Sequence, residues 1–236
     1  DLVNYPKISE LQKFTSHVNN LIYPWYAIAG NHDISIDGPL TKDKFIATLA
    51  QANDNMNQKH IYYAFTPKKG FRVICLDSII DYKLTANGEI SNEEFVWLKE
   101  ELDEHEKDTI IVCTHVPIIE PYSSSNHKML NEYEVRKLLK THKNPLIVLQ
   151  GHYHCVKIRQ DENMLVITSP SLVTYPNAFR VININSNKNR TLVDVYLKET
   201  NLKDIQTRSK LRLMGTEKLY GEECDRNASF ELGRKD

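Results

Sequence analysis

Three short polar clusters in this chain each follow an apolar run. Gly30-Asn31-His32-Asp33 follows the run 22–29, Thr114-His115 follows 109–113, and Gly151-His152-Tyr153-His154 follows 146–149. Four of the nine histidines lie in these clusters. Neutral imidazole nitrogen and an amide or carboxylate oxygen together suit first-row divalent metals such as zinc, iron and manganese. A single histidine near a strand end is usually a hydrogen-bonded surface residue, so it is the combination that points to a metal site. If Gly151-His152-Tyr153-His154 continues as extended chain, alternation turns His152 and His154 to one side and Tyr153 to the other.

Such residues are far apart in the chain and need a scaffold that brings strand ends together. The spacing of apolar residues predicts helices over 8–20, 41–51, from Ser91, and over 133–140. The helix at Ser91 has the chemistry of a capped start, with Glu93 and Glu94 in its first turn. Strands are predicted over 22–29, 61–66, 71–77, 109–113 and 146–149, the second and third joined as a hairpin through Pro67-Lys68-Lys69-Gly70. A meander then follows at 155–159, 164–168, 179–184 and 191–197. Strand–helix alternation leading into a meander predicts an α/β layered domain over 1–200. Functional groups in such a domain collect beyond the carboxyl ends of the strands. Residues 201–236 read as a charged tail, helical in part and loose toward Asp236.

Composition narrows the function classes. A chain of 236 residues is long enough for one sizeable core. Its 30 basic and 31 acidic residues leave a net charge of -1, without the basic excess that general nucleic-acid or membrane-surface binding needs. No apolar run approaches the roughly 20 residues of a membrane span, and no leader is visible at Asp1, so the expected location is the cytoplasm. Cys75, Cys113, Cys155 and Cys224 form no C-x-x-C pair and read as free thiols. Asn227-Ala228-Ser229 matches a glycosylation sequon, read here as coincidence.

The three clusters, in this order and at strand ends, resemble the calcineurin-like metallophosphoesterase superfamily. Gly30-Asn31-His32-Asp33 is similar to its G-N-H-[DE] block, Thr114-His115 to its single metal-binding histidine, and Gly151-His152-Tyr153-His154 to its G-H-x-H block. Asp1-Leu2-Val3-Asn4 looks like the end of its G-D-x-x-[DN] block. The resemblance implies a four-layer αββα sandwich and two divalent or mixed-valence ions of manganese, iron or zinc. Asp1, Asn31, His115 and His152 would hold one ion, and Asp1 with His154 part of the other. It also implies hydrolysis of a small phosphorylated substrate, a phosphodiester or phosphomonoester, by a metal-bound hydroxide. His32 would serve the leaving oxygen as general acid, with Asp33 holding His32 in its tautomer. Within the superfamily the chain looks nearest to a small bacterial branch that includes cyclic-nucleotide phosphodiesterase-like proteins.

The D-x-H block, and the strand that would carry it, have no counterpart after Asp1. The chain is therefore expected to be a fragment without its first metal motif. The alternative is a catalytically impaired scaffold that binds a partner. Asp77, Asn177 and Arg180 are lesser candidates for the cleft, and 122–127 for a loop over it.

Overall fold

A computed structural model describes residues 1–213 and 217–234. Helices α1 (Ile8–Val18) and α2 (Lys42–Ala52) pack together ahead of a hairpin, β1 (Tyr63–Phe65) and β2 (Phe71–Cys75). Then come α3 (Asn92–Glu104), β3 (Thr109–Thr114), α4 (Glu132–Leu139) and β4 (Leu146–Gln150). Four strands follow: β5 (Lys157–Asp161), β6 (Met164–Thr168), β7 (Ala178–Ser186) and β8 (Arg190–Glu199). Helices α5 (Lys203–Arg212), α6 (Glu217–Tyr220) and α7 (Glu223–Arg226) lead to β9 (Ala228–Gly233).

Six strands form one sheet in the order β1-β2-β3-β4-β6-β5, and β7-β8-β9 form a second. Strands β2, β3, β4 and β6 are parallel, with β1 and β5 antiparallel at the edges. The parallel strands are apolar nearly throughout because both their faces are covered. One face carries Ile74, Ile110, Val112, Val148 and Val166, which pack with Leu11, Phe45, Leu98 and Leu139 from the helices. The alternate residues Ile147, Leu165 and Ile167 point the other way, against Val193, Val195 and Leu232 of the second sheet. Each fully buried aliphatic side chain contributes about 1.5–3 kcal/mol. Helix α3 starts where Ser91 Oγ accepts the Glu94 amide, and α4 turns Val135, Leu138 and Leu139 inward. The molecule is thus a mixed α/β fold with two stacked sheets.

Two segments depart from expectation. Residues 22–29 form no strand, because none of the described segments runs beside them to share a ladder. Side chains satisfy their carbonyls instead: Asn53 Nδ2 donates to Trp25 O at 2.8 Å and Tyr63 Oη to Ala27 O at 2.9 Å. This stretch borders an apolar slot of about 350 Å³, whose lining includes Tyr26, Ile28, Phe65, Cys75 and Leu149.

The second departure is at the other end, where the sequence predicts a loose tail. Helix α5 buries no side chain, but 228–233 pair in full register with β8. The buried Asp225 carboxylate accepts from the Ile158 amide at 3.0 Å and from Lys157 Nζ at 2.9 Å. Residues 214–216 and 235–236 lie outside the described residues.

Candidate metal centre

Strand β3 delivers His115 one residue past its end, and β4 delivers Gly151 and His152 in the same way. The two strands are parallel neighbours paired at Thr114 and Gln150, so the two loops begin side by side. The Gly151 amide donates to His115 O at 3.1 Å and locks them. The Gly30–Asp33 turn closes on itself through the Asp33 amide and Gly30 O at 3.0 Å.

Around the buried His115 Nε2 three acceptors crowd together. Asn31 Oδ1 lies at 3.1 Å, His152 Nδ1 at 3.0 Å and Asp1 Oδ1 at 3.5 Å. A neutral imidazole nitrogen carries at most one proton, so at most one of these acceptors can be served by it. Burial first, then neighbouring positive groups, hold His115 well below the ordinary histidine range, and burial pushes His152 down to about 4. Both rings are therefore neutral near pH 7, the form that ligates metal. His152 Nε2 is buried with no hydrogen-bond partner, so the ring is not fixed through its far nitrogen.

A cation among them would be shared by all four lone pairs. Ligand atoms at about 2.0–2.2 Å from one ion lie roughly 3 Å from each other, and the observed separations match that spacing. Among the described residues no three His, Cys, Asp or Glu side chains group closely enough to hold an ion by themselves. The set at His115 depends on an amide, Asn31, as its fourth member.

His152 and His154 do not sit on extended chain. Their φ values are +67 and +50, and the Tyr153 amide donates to Gly151 O at 2.8 Å, so the segment is a tight turn. Left-handed backbone at a residue with a side chain costs about 1–2 kcal/mol, and two in three residues mark a place where the surroundings impose the shape. His154 Nδ1 lies 3.2 Å from Thr174 Oγ1, outside the cluster at His115. Tyr153 turns inward and donates to Glu120 Oε1 at 2.5 Å.

Asp33 has a different task from the one expected. Fully buried, its carboxylate accepts from the amides of Gly30 at 2.7 Å, Leu2 at 2.7 Å and Val3 at 2.8 Å. It does not orient the His32 ring, whose Nδ1 lies 3.3 Å from Asn4 O. The carboxylate instead ties the segment bearing Asp1 to the Asn31 loop. Asp1 Oδ1 in turn accepts the His32 amide at 3.0 Å. Gly30 is required here, since an added Cβ would lie 2.7 Å from Asp1 Cα.

The lesser candidates fall elsewhere. Asp77 pairs with Lys42 Nζ at 2.6 Å beneath α3. The Arg180 guanidinium binds the carbonyls of Asp225, Arg226 and Thr168, and Asn177 is fully buried. Both are structural. His127, seen in sequence only as part of a polar loop, lies 5.2 Å from the His152 ring, centroid to centroid. A lone loop histidine carries no local signal that could have found it, and neither does Thr174.

A model of the calcineurin-like phosphoesterases matches residues 1–156, which include the whole cluster. The chain belongs to that family. Two curated relatives are similar at the sequence level. A probable cyclic nucleotide phosphodiesterase of Fibrobacter succinogenes is 25% identical over 150 residues, 63% of this chain and 52% of that protein. The uncharacterized protein YvnB of Bacillus subtilis is 24% identical over 143 residues, 59% of this chain and 10% of that protein. The chain thus spans about half of one relative and a tenth of the other. In three dimensions it is similar to a dimetal phosphatase from Danio rerio, with a TM-score of 0.59 at 16% identity over 78% of this chain and 73% of that one. This family member accordingly shares the fold of a dimetal phosphatase. None of its described helices is long and apolar enough to cross a membrane.

Proposed function

We propose that the chain carries the site of a metal-dependent phosphoesterase acting on a small phosphorylated substrate, a phosphodiester or phosphomonoester. The observation that carries this reading is the crowding of Asp1, Asn31 and His152 around the neutral His115 Nε2. Those four residues would hold the first ion. His154, held through Nδ1 by Thr174, would offer its other ring nitrogen to a second. Bound there, divalent ions would neutralise phosphate charge and lower the pKa of the attacking water. Donor type admits manganese, iron or zinc.

The chain's own residues supply the rest. His32 is exposed beside the cluster, its backbone amide on Asp1 Oδ1 and its ring Nδ1 3.3 Å from Asn4 O. It can therefore rotate toward a leaving oxygen and give it a proton. Asp33 positions the metal-binding segment without touching substrate.

The test is hydrolysis of bis(p-nitrophenyl) phosphate with added manganese, comparing wild type with His32→Ala. Removing a general acid lowers turnover by about 10²–10⁴-fold. Metal content should be unchanged. Equal turnover in the variant removes His32 from this role, and absence of any metal-stimulated hydrolysis in wild type overturns the phosphoesterase reading.

A further inference from the structure

A cleft of about 510 Å³ opens directly off the cluster, with Asn31 and His32 forming its inner end. Its remaining walls come from Pro6 and two loops, 34–36 and 80–86, and are mostly apolar, with Ile34, Ile36, Ile80 and Leu84. Lys83 is the one cation among the lining residues, and no carboxylate lines it. Leu84 is 98% exposed and Ile36 38% exposed, so apolar surface faces solvent beside the polar site. Apolar surface concentrated next to convergent polar groups marks a ligand groove. The size is within the roughly 300–1,000 Å³ usual for small-molecule sites.

We infer that this cleft holds the leaving group of the substrate, and that this group is an aryl alcohol, its ring carried directly on the departing oxygen. The inference rests on the phosphoesterase reading and adds the substrate class. Its chemistry follows from the position of His32. A residue that protonates the leaving oxygen must lie against the departing alcohol, and His32 lines the same cleft as Ile34, Ile36 and Ile80. Among the described residues, Ser35 and Thr85 are the only hydroxyl side chains in the lining, so a polyol would set most of its hydroxyls against Ile34, Ile36 and Ile80, whereas an aryl ring covers these isoleucines. Lys83, which lines the cleft with its Nζ 5.4 Å from the Tyr82 ring centroid, favours entry of an anionic ester.

Two readouts test this. The first is methyl NMR of isoleucine-labelled chain titrated with phenyl phosphate or methyl phosphate. Phenyl phosphate should shift the Ile36 and Ile80 methyls and bind about tenfold more tightly than methyl phosphate. Ile36→Asn, and separately the fully surface-exposed Leu84→Asn, should erase most of that preference while methyl phosphate binding stays put. The second readout is relative kcat/KM for aryl and alkyl phosphate esters. Equal affinity for the two phosphates, or unmoved isoleucine methyls, overturns the assignment. Hydrolysis without aryl preference removes the cleft and leaves the phosphoesterase. Isoleucine shifts and phenyl preference without hydrolysis of any ester leave the cleft and remove the phosphoesterase.

Discussion

Asp33 shows how a residue of the expected type, in the expected place, can have an unexpected task. Its carboxylate is spent on three amides, two of them from residues 2 and 3, so it acts as a clasp between segments 30 residues apart. Hydrogen bonds to a buried charged group contribute about 1.5–3 kcal/mol each. Asp33→Asn keeps the shape but turns one acceptor into a donor facing an amide. We expect it to lower stability by about that amount, measured by urea denaturation, and to weaken metal binding through Asp1. Gly30→Ala makes the complementary change. The added methyl must displace Asp1, so metal affinity should fall about 10–100-fold, by analogy with lost supporting contacts, with little loss of folded protein. Unchanged affinity by isothermal titration would dissociate Asp1 from the site.

Elements explain why the site residues arrive together. Parallel β3 and β4 end level, at Thr114 and Gln150, and the crossover helix α4 between them keeps both strands pointing the same way. Helix α3 is anchored less conventionally. Glu94 in its first turn is buried and accepts the Asp77 amide at 2.7 Å, while Lys42 from α2 meets Asp77. Burial, with Asp77 nearby, pushes the Glu94 carboxyl up to about 9, against 4.5 for the ordinary group. Folded Glu94 therefore keeps a proton that the unfolded chain releases. Stability from this source is complete below about pH 4.5 and is lost as pH rises toward about 9. Glu94→Gln retains the acceptor and has no proton to lose. Its unfolding midpoint should fall less than that of wild type between pH 6 and 9, and parallel curves would show that Glu94 is ionised in the fold.

For the whole molecule, the second sheet is a structural partner of the site-bearing sheet. Val193, Val195 and Leu232 close the core over Ile147 of β4 and over Leu165 and Ile167 of its neighbour β6. Leu165→Ala should cost about 2–5 kcal/mol by thermal or urea unfolding. Strand β9 and Asp225 extend this core past residue 200. A chain ending at residue 200 leaves β8 with an unpaired edge and Leu232 missing. It should unfold at a lower denaturant concentration than the whole chain, and an equal midpoint would place the domain boundary at 200.

Most of the secondary structure was legible because its signals are local. Helix period, the Ser91 cap and the β-branched runs act within a few residues, and α3, α4, β3, β4 and β6 fall where those signals put them. The grouping of Asn31, His115 and His152 was legible for another reason, since the three lie in short polar clusters that each follow an apolar run. The strand at 22–29 was misread because pairing needs a neighbour that periodicity does not see. The pairing of β9 was not legible because its apolar face is short and its partner residues lie 33 to 43 positions upstream. Residue types and their order thus determined the family and pointed to the proposed donor set. Which donors meet, that His152 and His154 stand on left-handed backbone, and that Asp33 clasps Asp1 instead of His32 were decided by tertiary contacts, because each depends on groups brought together from distant parts of the chain.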